Sequence, residues 1–206
     1  MKSDSRKIRL GVLISGSGTN LQAIIDRSER GELHAEVVCV ISNRADAFGL
    51  ERARKHGIAA IHIDHKSFSG RSEYDAALVK TLQELNVDLV ILAGFMRIVT
   101  PVLLDAFPNR VMNIHPALLP AFPGLDAQKQ ALEYGAKLSG CTVHFVDAGT
   151  DTGPIILQAA VPILEGDSVE SLSERIHHEE HELYPAAVQL FAEGRLKVAG
   201  RRVIIS

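Results

Sequence analysis

Short apolar runs alternate with segments of helical periodicity along most of the chain, and this alternation limits the folds that it can adopt. The runs Ile8 to Ile14, Glu36 to Ser42 and Asp88 to Ala93 are typical of strands that are buried on both faces. Between them lie segments with apolar residues three and four positions apart, such as Leu21 to Ile25. This alternation predicts an α/β fold: an open, mainly parallel, twisted sheet with helices on both faces and right-handed crossovers.

The same patterns place the remaining elements. Further strands are predicted over Ala59 to Ile63, Arg110 to His115, Ser139 to Val146 and Ile155 to Ile163. Further helices are predicted over Ala47 to His56, Ser72 to Leu85 with Ser72 as cap, Pro101 to Ala106, Gln128 to Tyr134 and Ser168 to Glu193. The proline- and glycine-rich stretch after Pro116 is expected to be a functional loop, and Leu196 to Ile205 a terminal hairpin. The whole chain, residues 1–206, is expected to form one domain.

Composition and charge exclude several classes of protein. A formal net charge of −3 gives no global attraction to nucleic acid or to anionic lipid, so we expect neither partner. No segment reaches the roughly 20 apolar residues that a membrane span needs, and a cytoplasmic location is therefore expected. Cys39 and Cys141 both lie in apolar strand-like runs, which predicts reduced, buried thiols.

The run Arg110 to Pro116 combines apolar residues with two polar side chains and a final proline. Residues two apart in a strand point the same way, so Asn113 and His115 are predicted to project from one face near the strand's carboxyl end. Pro116 has no backbone donor and ends the ladder. A carboxamide beside an imidazole suits negative charge that develops at a carbonyl carbon. A hydrogen-bonded core histidine is the alternative interpretation.

A glycine-containing turn, Ser15 to Asn20, joins the first strand to the first helix. Its glycines allow the backbone to approach a ligand, and its N–H groups precede a helix, which predicts an anion cradle. The turn is not a Walker loop, since no Gly-Lys-Ser/Thr follows it, and Leu21 stands where a dinucleotide motif has its third glycine. A single phosphate therefore fits better than a dinucleotide, and a tight strand-to-helix turn without a ligand is the alternative.

Three charged residues near strand ends are further candidates. Asp151 lies in DTGP, where it is predicted either to face His115 and favour the imidazolium or to cap its own loop. Arg71 and Arg97 are placed to meet the carboxylates of a ligand, with a solvated arginine as the alternative. Because the glycine turn, the Phe95–Arg97 turn and His115 all follow strands, the sheet is expected to gather them along one edge.

Three histidines and three glutamates lie together in the last helix, over His177 to Glu182. His177 and His181 are one helical turn apart and resemble a metal-binding face. The order HHEEHE is not the HExxH order of a zinc protease, so we expect no metal site here.

Six stretches together resemble the folate-dependent phosphoribosylglycinamide formyltransferase family. They are SGSGTNLQAII, SNRADAFGLERA, LAGFMRI, NIHPALLPAFPG, DTGPII and EHELYP, and they extend over nearly the whole chain. NIHP followed by DxGP is shared across the wider formyltransferase superfamily, whereas the glycine turn and the Glu180 region resemble this family specifically. The resemblance implies a Rossmann-like formyltransferase fold.

The resemblance also implies roles for individual residues. Those that match the family's catalytic positions are Asn113, His115 and Asp151. Those that match positions holding the phosphate and ribose of glycinamide ribonucleotide (GAR) are Gly18, Thr19, Asn20 and Glu180. Those that match the folate side are Arg71, Met96, Arg97, Ile98 and Val99, together with Asn113.

The implied reaction moves the formyl group of the co-substrate 10-formyltetrahydrofolate to the amine of GAR, in de novo purine biosynthesis. The amine attacks the formyl carbon directly, and Asn113 and protonated His115 stabilise the tetrahedral oxyanion while Asp151 holds His115 and helps move the amine proton. Because the formyl group is already activated, neither a metal nor ATP is implied. The expected partners are small-molecule substrates, and the expected state is a monomer or a homodimer.

Two alternatives and one departure qualify this resemblance. A formyltetrahydrofolate hydrolase would share the three catalytic residues but resembles this chain plus an amino-terminal regulatory domain, for which we expect no room before Ile8. A non-enzymatic ligand-binding α/β module would need only the cradle. The departure lies after Leu125, where the family often carries histidine and this chain reads Asp126-Ala-Gln128.

Overall fold

The computed structural model of the chain describes residues 6–206, which form a nine-stranded sheet and six α-helices. The strands are β1 (Ile8–Ile14), β2 (Ala35–Ser42), β3 (Ala59–His62), β4 (Leu89–Leu92), β5 (Val111–His115), β6 (Leu138–Phe145), β7 (Ile155–Pro162), β8 (Leu196–Ala199) and β9 (Arg202–Ile205). The helices are α1 (Thr19–Glu29), α2 (Phe48–Lys55), α3 (Arg71–Glu84), α4 (Pro101–Ala106), α5 (Ala127–Tyr134) and α6 (Val169–Ala192). A short 3-10 helix, His65–Ser67, lies between β3 and α3.

The strands are arranged in the order β3-β2-β1-β4-β5-β6-β7-β9-β8. The first five are parallel, as expected for strands joined by helical crossovers. β6 runs antiparallel to β5 and to β7, and the antiparallel pair β8 and β9 extends the sheet beyond β7. The prediction of an α/β fold with a mainly parallel sheet is confirmed.

The two faces of the sheet pack against different helices. Val12 and Ile14 lie in a core cluster with residues of α1 and α6, whereas Leu13, which points the other way, lies in a second cluster with residues of α3 and α4. Tyr184 of α6 is fully buried, and its hydroxyl lies 3.0 Å from the carbonyl oxygen of Leu92 and 2.9 Å from that of Met112. Helix α6 is therefore anchored beside β4 and β5.

The ends of the helices agree with the sequence at most positions. Gly31 and Gly57 follow α1 and α2 with φ of +73° and +67°, the backbone conformation that stops a helix. Ser168 caps α6, and its side chain and that of Ser171 bond reciprocally to each other's backbone N–H. The prediction that Ser72 caps α3 is wrong: α3 begins at Arg71 after Gly70, without a side-chain cap.

Two further sequence predictions concern the cysteines and the membrane-spanning segments. Cys39 and Cys141 are both buried and free, as predicted, and burial raises the pKa of each thiol to about 12. Within residues 6–206, no helix combines the length and the apolar character that crossing a membrane requires.

Candidate active site

The loops that follow β1, β4 and β5 meet at the carboxyl edge of the sheet, as the sequence predicts. The N–H of Ser15 donates to the carbonyl of Gly94 (3.0 Å), and the N–H of Met96 donates to the Ser15 hydroxyl (2.9 Å). Asn113 of β5 pairs with Leu92 of β4. The glycine turn, the Met96 loop and the end of β5 are therefore held beside one another by hydrogen bonds and by the pairing of β4 with β5.

Asn113, His115 and Asp151 are brought together with a fourth residue, His144. Nδ1 of His115 lies 3.3 Å from Oδ2 of Asp151, which settles the open alternative in favour of a carboxylate that faces the imidazole. Nε2 of His144 lies 3.7 Å from Oδ1 of Asp151 and 3.2 Å from Nδ2 of Asn113. Both histidines are buried, with 4% and 2% of their surface exposed. We call these four residues the carbonyl-site cluster.

Both ring nitrogens of His115 face oxygen acceptors. Nδ1 faces the Asp151 carboxylate, and Nε2 lies 2.8 Å from the carbonyl oxygen of Phe122 in the loop after β5. A neutral imidazole has one donor only, whereas the imidazolium donates from both nitrogens. Each ring nitrogen of His115 is therefore positioned to donate a hydrogen bond to an oxygen.

Asp151 is held by the same loop. It has φ +54°, an uncommon conformation for a residue with a side chain, and its Oδ2 accepts a 2.8 Å hydrogen bond from the Gly124 N–H. Burial raises the pKa of Asp151, but the His144 ring, the Gly124 N–H and the His115 ring together outweigh burial and lower the pKa below its ordinary value. The carboxylate therefore remains charged beside the two imidazoles.

The sequence reading missed His144, which orients Asn113. Nδ1 of His144 lies 2.9 Å from the carbonyl oxygen of Phe145, an acceptor, so Nδ1 donates there and the ring orientation is fixed. Nε2 of the same ring then lies between the Asn113 amide nitrogen, at 3.2 Å, and the Asp151 carboxylate, at 3.7 Å. The only sequence signal was a histidine inside the apolar strand β6, and its meaning depends on the antiparallel register that pairs it with Asn113.

The glycine turn is built largely from backbone. Gly18, the N-cap of α1, has φ +70° and ψ +37°, and a Cβ at this position would lie 2.9 Å from the Cα of Gly49 in α2. Only glycine meets both constraints. Because Thr19 and Asn20 begin the helix, their N–H groups have no intrahelical acceptors and are available to an anion.

Asn20 and Glu180, two residues that the resemblance assigns to one ligand, are in contact. The Asn20 amide donates a 2.9 Å hydrogen bond to Oε2 of Glu180, and 4% of the Glu180 surface is exposed. Burial raises the pKa of Glu180, against the opposing effects of the Asn20 hydrogen bond and of His177. Oδ1 of Asn20 is buried and has no hydrogen-bond partner within residues 6–206.

The residues predicted for the folate side occupy different environments. Met96 and Ile98 are exposed, with 68% and 56% of their surface accessible, although both are apolar. Arg97 lies over the ring of Tyr74, 5.3 Å from its centroid. The side chain of Val99 is buried in the core, so Val99 can meet a ligand through its backbone only, and Arg71 is the exposed first residue of α3.

Asp75 of α3, which the sequence reading did not single out, holds this loop. Its buried carboxylate accepts hydrogen bonds from the N–H (2.5 Å) and the hydroxyl (2.8 Å) of Thr100. Thr100 is the N-cap of α4 and follows Val99 directly. The carboxylate therefore fixes the carboxyl end of the Met96–Val99 segment.

The histidine-rich part of α6 has no metal-site arrangement. The rings of His177 and His181 are stacked, with centroids 6.4 Å apart and an interplanar angle of 10°. Across residues 6–206, no group of three or more His, Cys, Asp or Glu side chains is positioned to hold an ion. The prediction that the reaction needs no metal stays a prediction.

The departure at Asp126 and Gln128 lies at the start of α5. Asp126 is its N-cap, with φ +55° and no side-chain cap. The preceding backbone is held by Gln130, whose side-chain amide donates to the carbonyl oxygen of Leu125 at 2.7 Å. The contacts of Phe122 and Gly124 with the carbonyl-site cluster do not involve Asp126 or Gln128.

Comparison with known proteins identifies relatives of this chain. The chain is 53% identical over 199 residues to a trifunctional purine biosynthetic protein of Drosophila pseudoobscura pseudoobscura; the match covers 96% of this chain but spans only 14% of that protein's length. It is also 48% identical over 187 residues to the phosphoribosylglycinamide formyltransferase of Escherichia coli, with 91% of this chain and 88% of the relative covered.

A solved structure and a family model extend the match to the fold. The crystal structure of glycinamide ribonucleotide transformylase 1 from Symbiobacterium toebii superimposes with a TM-score of 0.98 at 61% sequence identity, over 100% of this chain and 97% of the other. Residues 8–188 match the formyl transferase family model, a segment that contains all four members of the carbonyl-site cluster and the glycine turn. The chain belongs to the formyl transferase family.

Proposed function

We propose that this protein transfers the formyl group of 10-formyltetrahydrofolate to the primary amine of GAR, a step of de novo purine biosynthesis. The observation that carries the proposal is the contact between His115 and Asp151 at the end of β5, beside Asn113. The names of the E. coli relative and of the S. toebii structure support the choice of substrates. Both substrates are small molecules.

The reaction is a direct transfer through a tetrahedral intermediate. The amine nitrogen of GAR attacks the formyl carbon, and the carbonyl oxygen becomes an oxyanion. The Asn113 amide and the His115 imidazolium donate hydrogen bonds to this oxyanion. The bond from the formyl carbon to N10 of the folate then breaks, and the proton lost by the amine passes to N10 with the help of Asp151. No covalent bond to the enzyme is formed.

The contacts of His115 support Nε2 as the nitrogen that acts. Asp151 occupies Nδ1, so Nε2 is the donor that meets the oxyanion. In the structure Nε2 donates to the Phe122 carbonyl, and the formyl oxygen takes the place of that carbonyl when the substrates bind. Phe122 has φ +52°, in a loop whose backbone can change more easily than the strands that it joins.

The two substrates occupy neighbouring parts of the sheet edge. The N–H groups of Gly18, Thr19 and Asn20 bind the phosphate of GAR, and the Glu180 carboxylate accepts hydrogen bonds from the ribose hydroxyls. The exposed side chains of Met96 and Ile98 cover the apolar surface of the folate. Arg71, Arg97, the Val99 backbone and Asn113 complete the folate side.

An assay with two arms and three distinguishable outcomes tests the proposal. Purified protein is incubated with 10-formyltetrahydrofolate, with and without GAR, while folate release and formylated GAR are measured. We expect tetrahydrofolate and formyl-GAR in equal amounts, and only when GAR is present. Folate release without GAR would identify a hydrolase. Binding of either ligand without any release would identify a non-enzymatic binding protein.

A further inference from the structure

Helix α2 is bonded to the glycine turn at two consecutive peptide groups. The N–H of Gly49 donates to the carbonyl oxygen of Gly16 at 3.1 Å. Nε of Arg52 donates to the carbonyl oxygen of Ser17 at 2.8 Å, although the two residues are 35 positions apart. The turn is therefore held from outside, by residues that belong to neither β1 nor α1.

These two contacts determine where the N–H groups of the turn point. A peptide group is planar and trans, so its C=O and its N–H point in opposite directions. The Ser17 carbonyl and the Gly18 N–H belong to one peptide group, and Arg52 therefore directs the Gly18 N–H away from α2. Gly49 acts in the same way on the Ser17 N–H, through the Gly16 carbonyl.

The ion pairing of Arg52 differs from that of the neighbouring arginines. Arg27 pairs with Glu182, Arg30 with Glu32 and Arg54 with Glu51. Arg52 forms no ion pair within the part of the chain that the structure describes. Its guanidinium instead donates to the Ser17 carbonyl and to Oε1 of Gln22 (3.1 Å), both of them neutral acceptors, so its positive charge is not neutralised by a bonded carboxylate.

The position of Arg52 is fixed on both sides. Its guanidinium carbon lies 5.0 Å from the centroid of the Phe48 ring, and its Cδ would be 3.6 Å from a Cβ at Gly18. Arg52 also lines an open pocket of about 400 Å³ together with Thr19, the first residue of α1. The cation is therefore held against the turn, between the Ser17 carbonyl and the Phe48 ring.

We infer that Arg52 is a positioning residue for the nucleotide phosphate: it orients the Gly18 N–H through the Ser17 carbonyl and places an unpaired positive charge against the turn. This inference rests on the proposed function, because it assigns the phosphate to the glycine turn. It predicts that Arg52 contributes to the binding of a substrate that carries the phosphate. Arg52 is expected to contribute little to the binding of a substrate without the phosphate.

The test compares GAR with the corresponding riboside, which lacks the phosphate, as formyl acceptors for wild-type protein and for Arg52→Ala. We expect the preference for GAR, measured as the ratio of the two kcat/KM values, to fall by about 10–100-fold, the equivalent of one charge-assisted hydrogen bond. The fall is expected in the KM for GAR, with kcat at saturating substrates and the KM for the folate changed by less than about twofold.

The matched control is Arg54→Ala, two residues further along α2. Arg54 is bonded to Glu51 on the exposed face, and we expect its removal to leave the preference unchanged. If Arg52→Ala folds poorly, Arg52→Lys retains a charge and one donor, and we expect a fall of about 3–10-fold.

The outcomes separate this inference from the proposed function. A loss of kcat/KM that is equal for GAR and riboside, in either Arg52 variant, would mean that Arg52 only stabilises the fold and would overturn the inference alone. A wild-type protein that formylates both acceptors equally well would also overturn it. A wild-type protein that formylates neither would instead contradict the proposed function.

Discussion

Asp151 and Glu180 lie in different parts of the candidate site, and their surroundings shift their pKa values in opposite directions. Asp151 is partly buried but receives the Gly124 N–H and lies between two imidazole rings, which lower its pKa despite burial. Glu180 is more deeply buried and receives one amide N–H from Asn20, and burial raises its pKa. The same chemical group is therefore stabilised as an anion in one place and disfavoured as an anion in the other.

The difference matches the two tasks that we propose. A carboxylate that keeps an imidazolium in place must itself stay charged, and Asp151 has the partners for this. A carboxylate that binds the hydroxyl groups of a ligand receives few hydrogen bonds before the ligand binds. Glu180 fits this description, since the Asn20 amide donates to one of its oxygens. The catalytic part is made of side chains that contact one another, whereas the nucleotide part is made of backbone N–H groups and of a carboxylate bonded to the Asn20 amide.

The largest effect on activity is expected from a change in the catalytic part of the site, at His115. Replacing His115 by alanine removes a donor to the oxyanion, and we expect kcat to fall by about 10²–10⁴-fold with little change in the KM for GAR. Steady-state kinetics with both substrates varied measures this. His178→Ala is the control, because His178 is exposed on α6 and pairs with Glu179 only, within residues 6–206. A change confined to KM would remove the contrast between the two parts.

A smaller effect, on the KM for GAR and not on kcat, is expected at the glycine turn. Gly18→Val imposes a side chain at φ +70° and against Gly49, which displaces the N–H groups. We expect the KM for GAR to rise by about 10–100-fold, and by much more than the KM for the folate.

The control for backbone strain is Gly166→Val, at φ +81° in the loop before α6. This variant is expected to lose stability without a change in either KM. Equal increases of both KM values in Gly18→Val would argue against the assignment of the turn to GAR.

The two carboxylates should also give opposite pH dependences of stability. The lowered pKa of Asp151 contributes stability above its ordinary value of 3.8, which is lost as the pH falls. The raised pKa of Glu180 contributes stability below its ordinary value of 4.5, which is lost as the pH rises. As the pH rises, wild-type protein should gain stability relative to Asp151→Asn and lose stability relative to Glu180→Gln.

Thermal unfolding of the three proteins between about pH 2 and pH 8 measures these differences, because the contribution of Asp151 changes below its ordinary pKa of 3.8 and that of Glu180 above its ordinary pKa of 4.5. One proton contributes at most about 1.4 kcal/mol per pH unit, or about 3–6 °C in Tm for a chain of this size. Two differences with the same sign would contradict the contrast between the carboxylates.

Chelation is expected to have no effect on either part of the site. The proposed chemistry relies on Asn113, His115 and Asp151, and the residues of α6 that resemble a metal face are stacked rings. Formyl transfer after exhaustive treatment with EDTA should equal that of untreated protein. Activity that is lost with EDTA and restored by zinc would show that a metal takes part.

Much of the fold could be predicted from the sequence because the relevant signals are local. The apolar runs and the helical spacings of residues such as Leu21 and Ile24 report which residues are buried, whatever surrounds them. The strand order and the antiparallel direction of β6 could not be predicted, because both depend on contacts between distant segments. His144 could not be predicted for the same reason, since only the pairing of β6 with β5 places it beside Asn113.

The residues of the site likewise divide into those that could be predicted from the sequence and those that could not. Asn113 and His115 could be found because the spacing of two in a strand places them on one face. The contacts of the Phe122 carbonyl and the Gly124 N–H could not be found, since they depend on backbone angles that residue types do not specify: Phe122 has a positive φ although it is not a glycine. The Ser17 carbonyl is similarly held by Arg52 from a separate helix.

The most direct test of the central claim, that His115 and Asp151 act as one unit, is a double-mutant cycle on kcat. His115→Ala, Asp151→Asn and the double variant are measured with both substrates saturating, after folding of each is checked by thermal unfolding. Because both residues serve one oxyanion and one proton, we expect the double variant to be little slower than the slower single variant. Penalties that multiply in full would mean that the two residues act independently, and would contradict the mechanism.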